Sequence, residues 1–252
     1  RQALGLWEIS LLSTLDEKIE LLSQTGLDYL LVLPFTKEFS NQGARDFISN
    51  VLIEQLNISE IILGYDHKFG HNREGDVQLL AEILTKTNRF VTEIPAQDVD
   101  EIIVSSTKIR TALIQGGVES ANRLLGYNYQ IKGKVVTGKQ LGRTIGFPTA
   151  NIEPMSDSKL LPGNGVYAVK TCIDGVTYQG MMNIGIRPTV SNSNQRVIEV
   201  HLFDFNSDIY GETVTISLCH RLRGEKTFSG IEELTKQLKK DEVDSRRHFA
   251  SL

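Results

Sequence analysis

An α/β half followed by an all-β half is the fold class that this chain predicts, and three observations carry it. Up to about Gln115, helical and strand-like hydrophobic periods alternate, the pattern of a parallel sheet with helices on its faces. From Tyr129 onward, short β-rich runs follow one another with little helix between, as in antiparallel strands closing into a small barrel. A last stretch, roughly Ser229 to Phe249, returns to a helical period and reads as a helix packed on that barrel.

The elements follow in order. Thr14-Leu15-Asp16-Glu17 is a capping box, and Gly26 the stop of the helix it starts. Tyr29-Leu30-Leu31-Val32-Leu33 is continuously apolar, as in a strand buried on both faces. Ala44 to Leu56 fits a helix with Phe47, Ile48, Val51, Leu52 and Leu56 on one side, and Ile61-Ile62-Leu63 a buried strand ended by Gly64. Val77 to Leu84 reads as a helix, Phe90 to Ile94 as a strand, and Ser106 to Gln115 as a helix. The barrel strands are Gln130–Val136, Gly165–Ile173, Thr177–Ile184, Val197–Phe203 and Thr213–Leu218, with a hairpin signal at Asp174-Gly175. The closing helix is expected to turn Ile231, Leu234, Leu238 and Val243 inward. The change of pattern near Gly126 divides the chain into domains 1–125 and 126–252.

Bulk properties narrow the function. A chain of 252 residues, 40% hydrophobic and 23% charged, has an ordinary globular composition. With 27 basic against 31 acidic residues the net charge is −4, so no general attraction to nucleic acid or anionic membrane is expected. Phosphate handling must come from a few placed cations. Cys172 and Cys219 have no CxxC spacing and sit in apolar runs, which predicts two small buried thiols rather than zinc or a disulfide framework. No apolar run reaches membrane-spanning length and no signal-peptide pattern is present, so the expected compartment is the cytoplasm. Oligomeric state is not readable.

The richest stretch is Gly138 to Asn151. Gly138, Gly142 and Gly146 allow backbone N–H groups to face an anion closely, while Lys139 and Arg143 add positive charge. Thr149 and Asn151 offer neutral oxygens of the kind Mg²⁺ uses beside phosphates. The spacing is not that of a Walker loop. Glu199, alone, reads as an outward strand carboxylate between core-facing Ile198 and Val200.

Tyr129-x-Ile131-x-Gly133-x-Val135, Gly142-Arg143-x-x-Gly146-Phe147-Pro148-Thr149-Ala150-Asn151, Asn183-Ile184-Gly185-x-Arg187-Pro188-Thr189, Glu199-Val200-His201-Leu202-x-Asp204-Phe205 and Asp208-x-Tyr210-Gly211 occur in that order. Together they resemble the flavokinase module of bacterial bifunctional riboflavin kinase/FAD synthetases. The resemblance implies that Thr149 and Asn151 hold Mg²⁺ and ATP phosphates, with Gly138, Lys139, Gly142, Arg143 and Gly146 as the phosphate cradle. It implies Glu199 as the base for the riboflavin 5′-hydroxyl, and His201, on the same strand face, as a supporting residue. Arg223-Gly224-Glu225-x-x-Phe228 and Arg246 resemble the flavin-side loop and terminal helix, so Arg223 and Arg246 are candidate flavin contacts; a solvated helix cation is the competing reading of Arg246.

Two blocks of the first half resemble the FMN adenylyltransferase module of the same family, which has a Rossmann-like nucleotidyltransferase fold. In Gly64-Tyr65-Asp66-His67-x-Phe69-Gly70, Asp66 and Gly70 are candidate nucleotide contacts at the end of a strand. In Ser105-Ser106-Thr107-x-Ile109-Arg110, Ser106, Thr107 and Arg110 are candidates at a helix start, where plain capping competes as a reading. His67 and His71 lie in a glycine-rich loop, which argues against a helical metal pair. The His-x-Gly-His turn with which that superfamily opens does not occur, and the first module is expected to be incomplete at its N-terminus. The resemblance implies phosphorylation of riboflavin to FMN and adenylylation of FMN to FAD. ATP is then co-substrate, Mg²⁺ cofactor, and small molecules the only partners. The alternatives are a flavokinase alone, a kinase or nucleotidyltransferase for another small substrate, and a non-enzymatic flavin-binding protein on the same barrel.

Overall fold

The computed structural model describes residues 10–96, 98–99, 102–138, 141–187 and 195–251. They form two compact units, one of Leu27–Val104 and one that joins Ser10–Gly26 to residues 105–251.

In the first unit, helix α2 (Lys37–Ser40) starts on a Thr36 cap, whose hydroxyl accepts from the Phe39 N–H at 3.1 Å. α3 (Ala44–Asp46) runs directly into a π-helix (Phe47–Gln55) that buries Ile48, Val51 and Leu52. Strands β1 (Glu60–Gly64) and β2 (Phe90–Ile94) pair in parallel, and α4 (Val77–Thr85), capped by Asp76, connects them. Ile48, Leu52, Leu63, Leu80 and Leu84 form one core. The expected α/β alternation is therefore present, with β3 (Asp98–Val99) and β4 (Ile102–Ile103) as a short added ribbon.

Two expectations are corrected in this unit. Tyr29 to Leu33 is not a strand, and all five residues are exposed, Tyr29 by 92%. A strand exists through ladder bonds to a neighbour, which an apolar run does not itself provide, and among the described residues β1 pairs only with β2. β1 is not buried on both faces either: Leu63 is buried and Ile62 is 60% exposed, the alternation of a sheet with one covered face. Leu56, at the end of the π-helix, is exposed.

In the second unit, α1 (Leu15–Ser23) carries the expected capping box between Thr14 and Glu17. α5 (Ser106–Ile114) and α6 (Val118–Leu125) follow, and α6 ends on Gly126 in the left-handed conformation at φ 79°. Its Asn122 accepts from the Tyr129 N–H at 2.8 Å and donates to the Leu218 carbonyl at 2.9 Å, fastening the helix to two barrel strands. The barrel is closed and antiparallel: β5 (Tyr129–Val136), β6 (Ala150–Pro154), β7 (Gly165–Ile173), β8 (Val176–Arg187), β9 (Gln195–Leu202) and β10 (Thr213–Arg223), in spatial order β10-β5-β6-β9-β8-β7. The Asp174-Gly175 hairpin has φ 50° and 78°, the two positive angles of a type I′ turn. Register shifts between Leu218 and His220 and between Arg221 and Arg223 bend β10, which pairs with both β5 and β7 to close the barrel.

α8 (Ile231–Ala250) packs on the barrel, but not through the expected face. Ile231 and Val243 are exposed, while Leu234 and Leu238 are half-buried and Asp241, Ser245 and Phe249 are buried. The inward stripe keeps helical spacing and passes through polar residues because these have partners: Asp241 binds Arg223, and Ser245 donates to the Gly180 carbonyl at 3.2 Å. Cys219 is buried as expected; Cys172 is exposed on an outward position of β7, so its apolar surroundings in sequence belong to the other strand face. No helix among the described residues is long and apolar enough to cross a membrane.

Candidate active site

The barrel register assembles the site. Asn151 on β6 lies opposite Glu199 on β9, which lies opposite Asn183 on β8, so the three form a row across adjacent strands. Thr149 precedes Asn151 by two, and His201 follows Glu199 by two, which puts them on the same face. All five are half-buried and line one cavity of about 290 Å³, which Phe147, Phe228, Leu234 and Leu238 also line. A flat aromatic ligand suits such a lining: apolar walls with a few polar groups that fix orientation. A second cavity of about 390 Å³ has a more polar wall with Arg143, Asp208 and Tyr210. Thr149 lines both.

The glycine stretch is built by close approach. A Cβ on Gly142 would run into the Phe147 carbonyl, and one on Gly138 into the Asn151 carboxamide. α7 (Leu141–Thr144), which contains Gly142, ends in a tight turn in which the N–H groups of Ile145 and Phe147 bond the Gly142 carbonyl, at 3.2 and 2.8 Å. Those amides are committed to the turn and do not face an anion, so the loop is less of an amide cradle than its glycines suggest. Arg143 and Gly146 are exposed, Gly146 with φ 82° and no atom within 4 Å of a Cβ placed there. Lys139 lies outside the described residues, as do Pro188 and Thr189.

Thr149 and Asn151 present a hydroxyl and a carboxamide, a donor set that fits Mg²⁺ only where phosphate oxygens and water complete the shell. No cluster of three or more His, Cys, Asp or Glu that could hold a metal is found among the described residues, which places His67 and His71 outside any such cluster. His67 stacks on Phe69, and His71 Nδ1 lies 3.5 Å from the Ser40 carbonyl.

The flavin-side arginines are differently placed. Arg223 lines the apolar cavity, with its guanidinium held by the 2%-exposed Asp241 through Nη2 to Oδ2 at 2.8 Å and Nε to Oδ1 at 3.0 Å, and it lies over Phe228. Arg246 is not among the cavity residues. It binds Asp204 at 2.9 Å and Glu242 at 3.0 Å and covers the Phe203 ring at 4.5 Å. Asp204 first, then Glu242, holds Arg246 above its ordinary pKa, and the Arg246 guanidinium in turn holds Asp204 below its own.

The nucleotide candidates of the first half fall in separate compact units. In the first, Asp66 is exposed in the turn after β1, and Gly70, at φ 74°, passes so close to Ala44 that a Cβ would sit 2.7 Å from its backbone. In the second, Ser106 and Thr107 are exposed at the start of α5, while Ser105 is the cap that accepts from the Lys108 N–H at 3.3 Å. Arg110 is half-buried and donates from Nε to the Ser10 carbonyl at 3.1 Å. Sequence reasoning overlooked an aromatic cavity of about 330 Å³ in the first unit, lined by Phe35, Phe39, Phe47 and Phe69 beside Gly70. Phe35, ahead of the Thr36 cap, meets Phe39 edge-on at 5.7 Å, and the clustering of Phe35, Phe39 and Phe47 in one stretch was the readable signal.

A family model described as riboflavin kinase matches residues 125–249, and one described as FAD synthetase matches residues 7–108. The bifunctional riboflavin kinase/FMN adenylyltransferase of Listeria monocytogenes is 40% identical over 246 residues, 97% of this chain and 77% of that protein. The protein of the same description from Bacillus subtilis is 39% identical, over 96% of this chain and 76% of its own. A crystal structure described as a macrolide-efflux protein from Streptococcus pneumoniae superposes with a TM-score of 0.82 at 34% identity, covering 93% of this chain and 75% of that one.

Proposed function

The chain belongs to the family of bifunctional riboflavin kinase/FMN adenylyltransferases, and we infer from this that it serves FAD biosynthesis, taking riboflavin to FMN and FMN to FAD with ATP as donor in both steps. The observation that carries the kinase step is the place of Thr149, in the wall common to the apolar cavity that contains Glu199 and the polar cavity that contains Arg143. In this reading the isoalloxazine lies among Phe147, Phe228, Leu234 and Leu238, and ATP enters from the polar side. Phosphoryl transfer asks the protein for positioning, charge stabilisation and an acceptor for the alcohol proton. Glu199, in line with Asn151 and Asn183, takes the 5′-hydroxyl proton as the oxygen attacks the γ-phosphorus and the bond from that phosphorus to the β,γ-bridging oxygen breaks, releasing ADP. Thr149 and Asn151 would hold Mg²⁺, which would supply neutralisation of phosphate charge; Arg143 and the glycine stretch, with Gly138, Lys139, Gly142 and Gly146, attend the nucleotide. Arg223 shapes the flavin wall through its Asp241 pair.

For the adenylyl step, the aromatic cavity of Phe35, Phe39, Phe47 and Phe69 in the first unit is the proposed seat of FMN, with Asp66 and Gly70 as proposed nucleotide contacts of that unit. Ser106, Thr107 and Arg110, at the start of α5, are proposed nucleotide contacts of the second unit by themselves. The functional modules are then 1–125 and 126–252, the partners small molecules, and the compartment the cytoplasm.

Incubating the protein with riboflavin, ATP and Mg²⁺ and identifying products by chromatography should give FMN with one ADP per FMN; riboflavin bound but unchanged would make the barrel a binding module. A variant tests the metal-side assignment. Gly138→Ala pushes on the Asn151 carboxamide. A loss of about 1.4 kcal/mol in nucleotide binding corresponds to a tenfold higher KM for MgATP, while the KM for riboflavin should stay within about twofold. An unchanged KM for MgATP would remove Asn151 from that role.

A further inference from the structure

We propose that His201 is a positioning residue for Thr149, acting through the carbonyl of Pro148; the inference rests on the kinase reading above. Thr149 stands one residue before β6, so no ladder bond of that strand holds the peptide that precedes it. That peptide offers two handles, the Thr149 N–H and the Pro148 carbonyl, and the carbonyl is the one a side chain takes. His201 Nδ1 lies 2.7 Å from this oxygen. A carbonyl only accepts, so Nδ1 carries the proton and donates, and in the neutral ring Nε2 keeps its lone pair.

The imidazole is itself held. Phe147 meets it edge-on at 5.3 Å and Phe203 at 5.8 Å, and Phe203 is covered in turn by the Arg246 guanidinium at 4.5 Å, fixed by Asp204 and Glu242. The chain Arg246–Phe203–His201–Pro148 thus runs from α8 to the residue in the wall between the two cavities. It gives Arg246 a part in the site from outside the cavity. Glu199 and His201 share a strand face at period two, so one rigid strand holds both the proposed base and the proposed clamp on Thr149. A displacement of about 1 Å at a phosphoryl-transfer site costs on the order of a hundredfold in rate.

The test uses the full chain, riboflavin and MgATP. His201→Phe keeps the aromatic packing and removes the donor; its kcat should fall by about ten- to a hundredfold, with the melting temperature and the KM for riboflavin near wild type. His201→Asn, whose amide nitrogen overlays Nδ1, should recover most of the rate. His201→Gln, whose amide overlays Nε2, should not. Nitrogen-15 NMR of the imidazole should show Nδ1 protonated and Nε2 bare in the neutral ring. A His201→Phe rate within twofold of wild type, rescue by Gln rather than Asn, or a bare Nδ1 would each overturn the proposal. A wild-type chain that forms no FMN overturns the kinase reading and the catalytic part of this one; the NMR result is independent of turnover.

Discussion

Glu199→Gln should lower riboflavin phosphorylation by a factor on the order of 10²–10⁴, the range that a general base contributes. The substitution is nearly isosteric. It keeps the row Asn151–Glu199–Asn183 on adjacent strands and removes only the capacity to take a proton. Ile198 and Val200 on either side are buried at 2% exposure each and anchor the strand whatever residue 199 is. The loss should therefore fall on kcat, with riboflavin binding, followed by quenching of flavin fluorescence, within a few-fold of wild type. Glu199→Asp separates two roles. It keeps the carboxylate and withdraws it by one methylene, so a rate well above that of the Gln variant supports proton transfer, and equal rates would point to a structural carboxylate. If Glu199→Gln turned over within a few-fold of wild type, the base would lie elsewhere in the cavity.

Legibility in the sequence followed how local each feature is. β5 and β7 were readable to within a residue because β5 alternates buried with less buried positions and β7, buried at seven of nine positions, is a largely apolar run. β6 was overlooked as a strand because Pro148 and Pro154 frame it and its residues Asn151 and Glu153 serve the site and solvent rather than the core. α6 was overlooked because its polar Asn122 does the fastening that an apolar residue would have announced. The inward face of α8 was misjudged at Ile231 and Val243 since Asp241 and Ser245, polar by composition, are buried by virtue of partners far off in sequence, Arg223 and Gly180. The same holds for the site. Thr149, Asn151 and Glu199 were named as individuals, but their convergence in one cavity depends on the β6–β9–β8 order, which no local string encodes. The Tyr29–Leu33 run shows the converse limit: hydrophobicity reports a demand for burial and does not supply the neighbour that meets it.

The second large effect is expected far from the chemistry, where Ser10–Gly26 is fastened to the barrel. Lys159 Nζ lies 2.7 Å from Glu17 Oε2 and 2.7 Å from the Leu12 carbonyl, 4.3 Å above the Tyr129 ring, with both charged side chains only 3% exposed. Glu17 also accepts from the Lys132 N–H at 3.0 Å and closes the α1 capping box by accepting from the Thr14 N–H at 2.9 Å. Burial holds the Lys159 ammonium below its ordinary pKa, and Glu17 works against that shift. Lys159→Met fits the space and leaves the Glu17 carboxylate buried without its cation, which costs about 3–5 kcal/mol. Glu17→Gln should cost a similar amount, and here the sign with pH is informative. Without the carboxylate the folded-state pKa of Lys159 drops further from its unfolded value. The unfolded chain then binds more protons between those two values, so the variant regains stability as pH rises toward 10.5, by up to about 1.4 kcal/mol per pH unit. The double variant Glu17→Gln/Lys159→Met buries no net charge and retains a side chain competent for the capping box, so it should recover most of the loss. Urea unfolding followed by circular dichroism at several pH values measures all four proteins. A Lys159→Met cost below about 1 kcal/mol, the range of a solvated surface pair, would mean that the barrel holds α1 by apolar packing and backbone bonds alone.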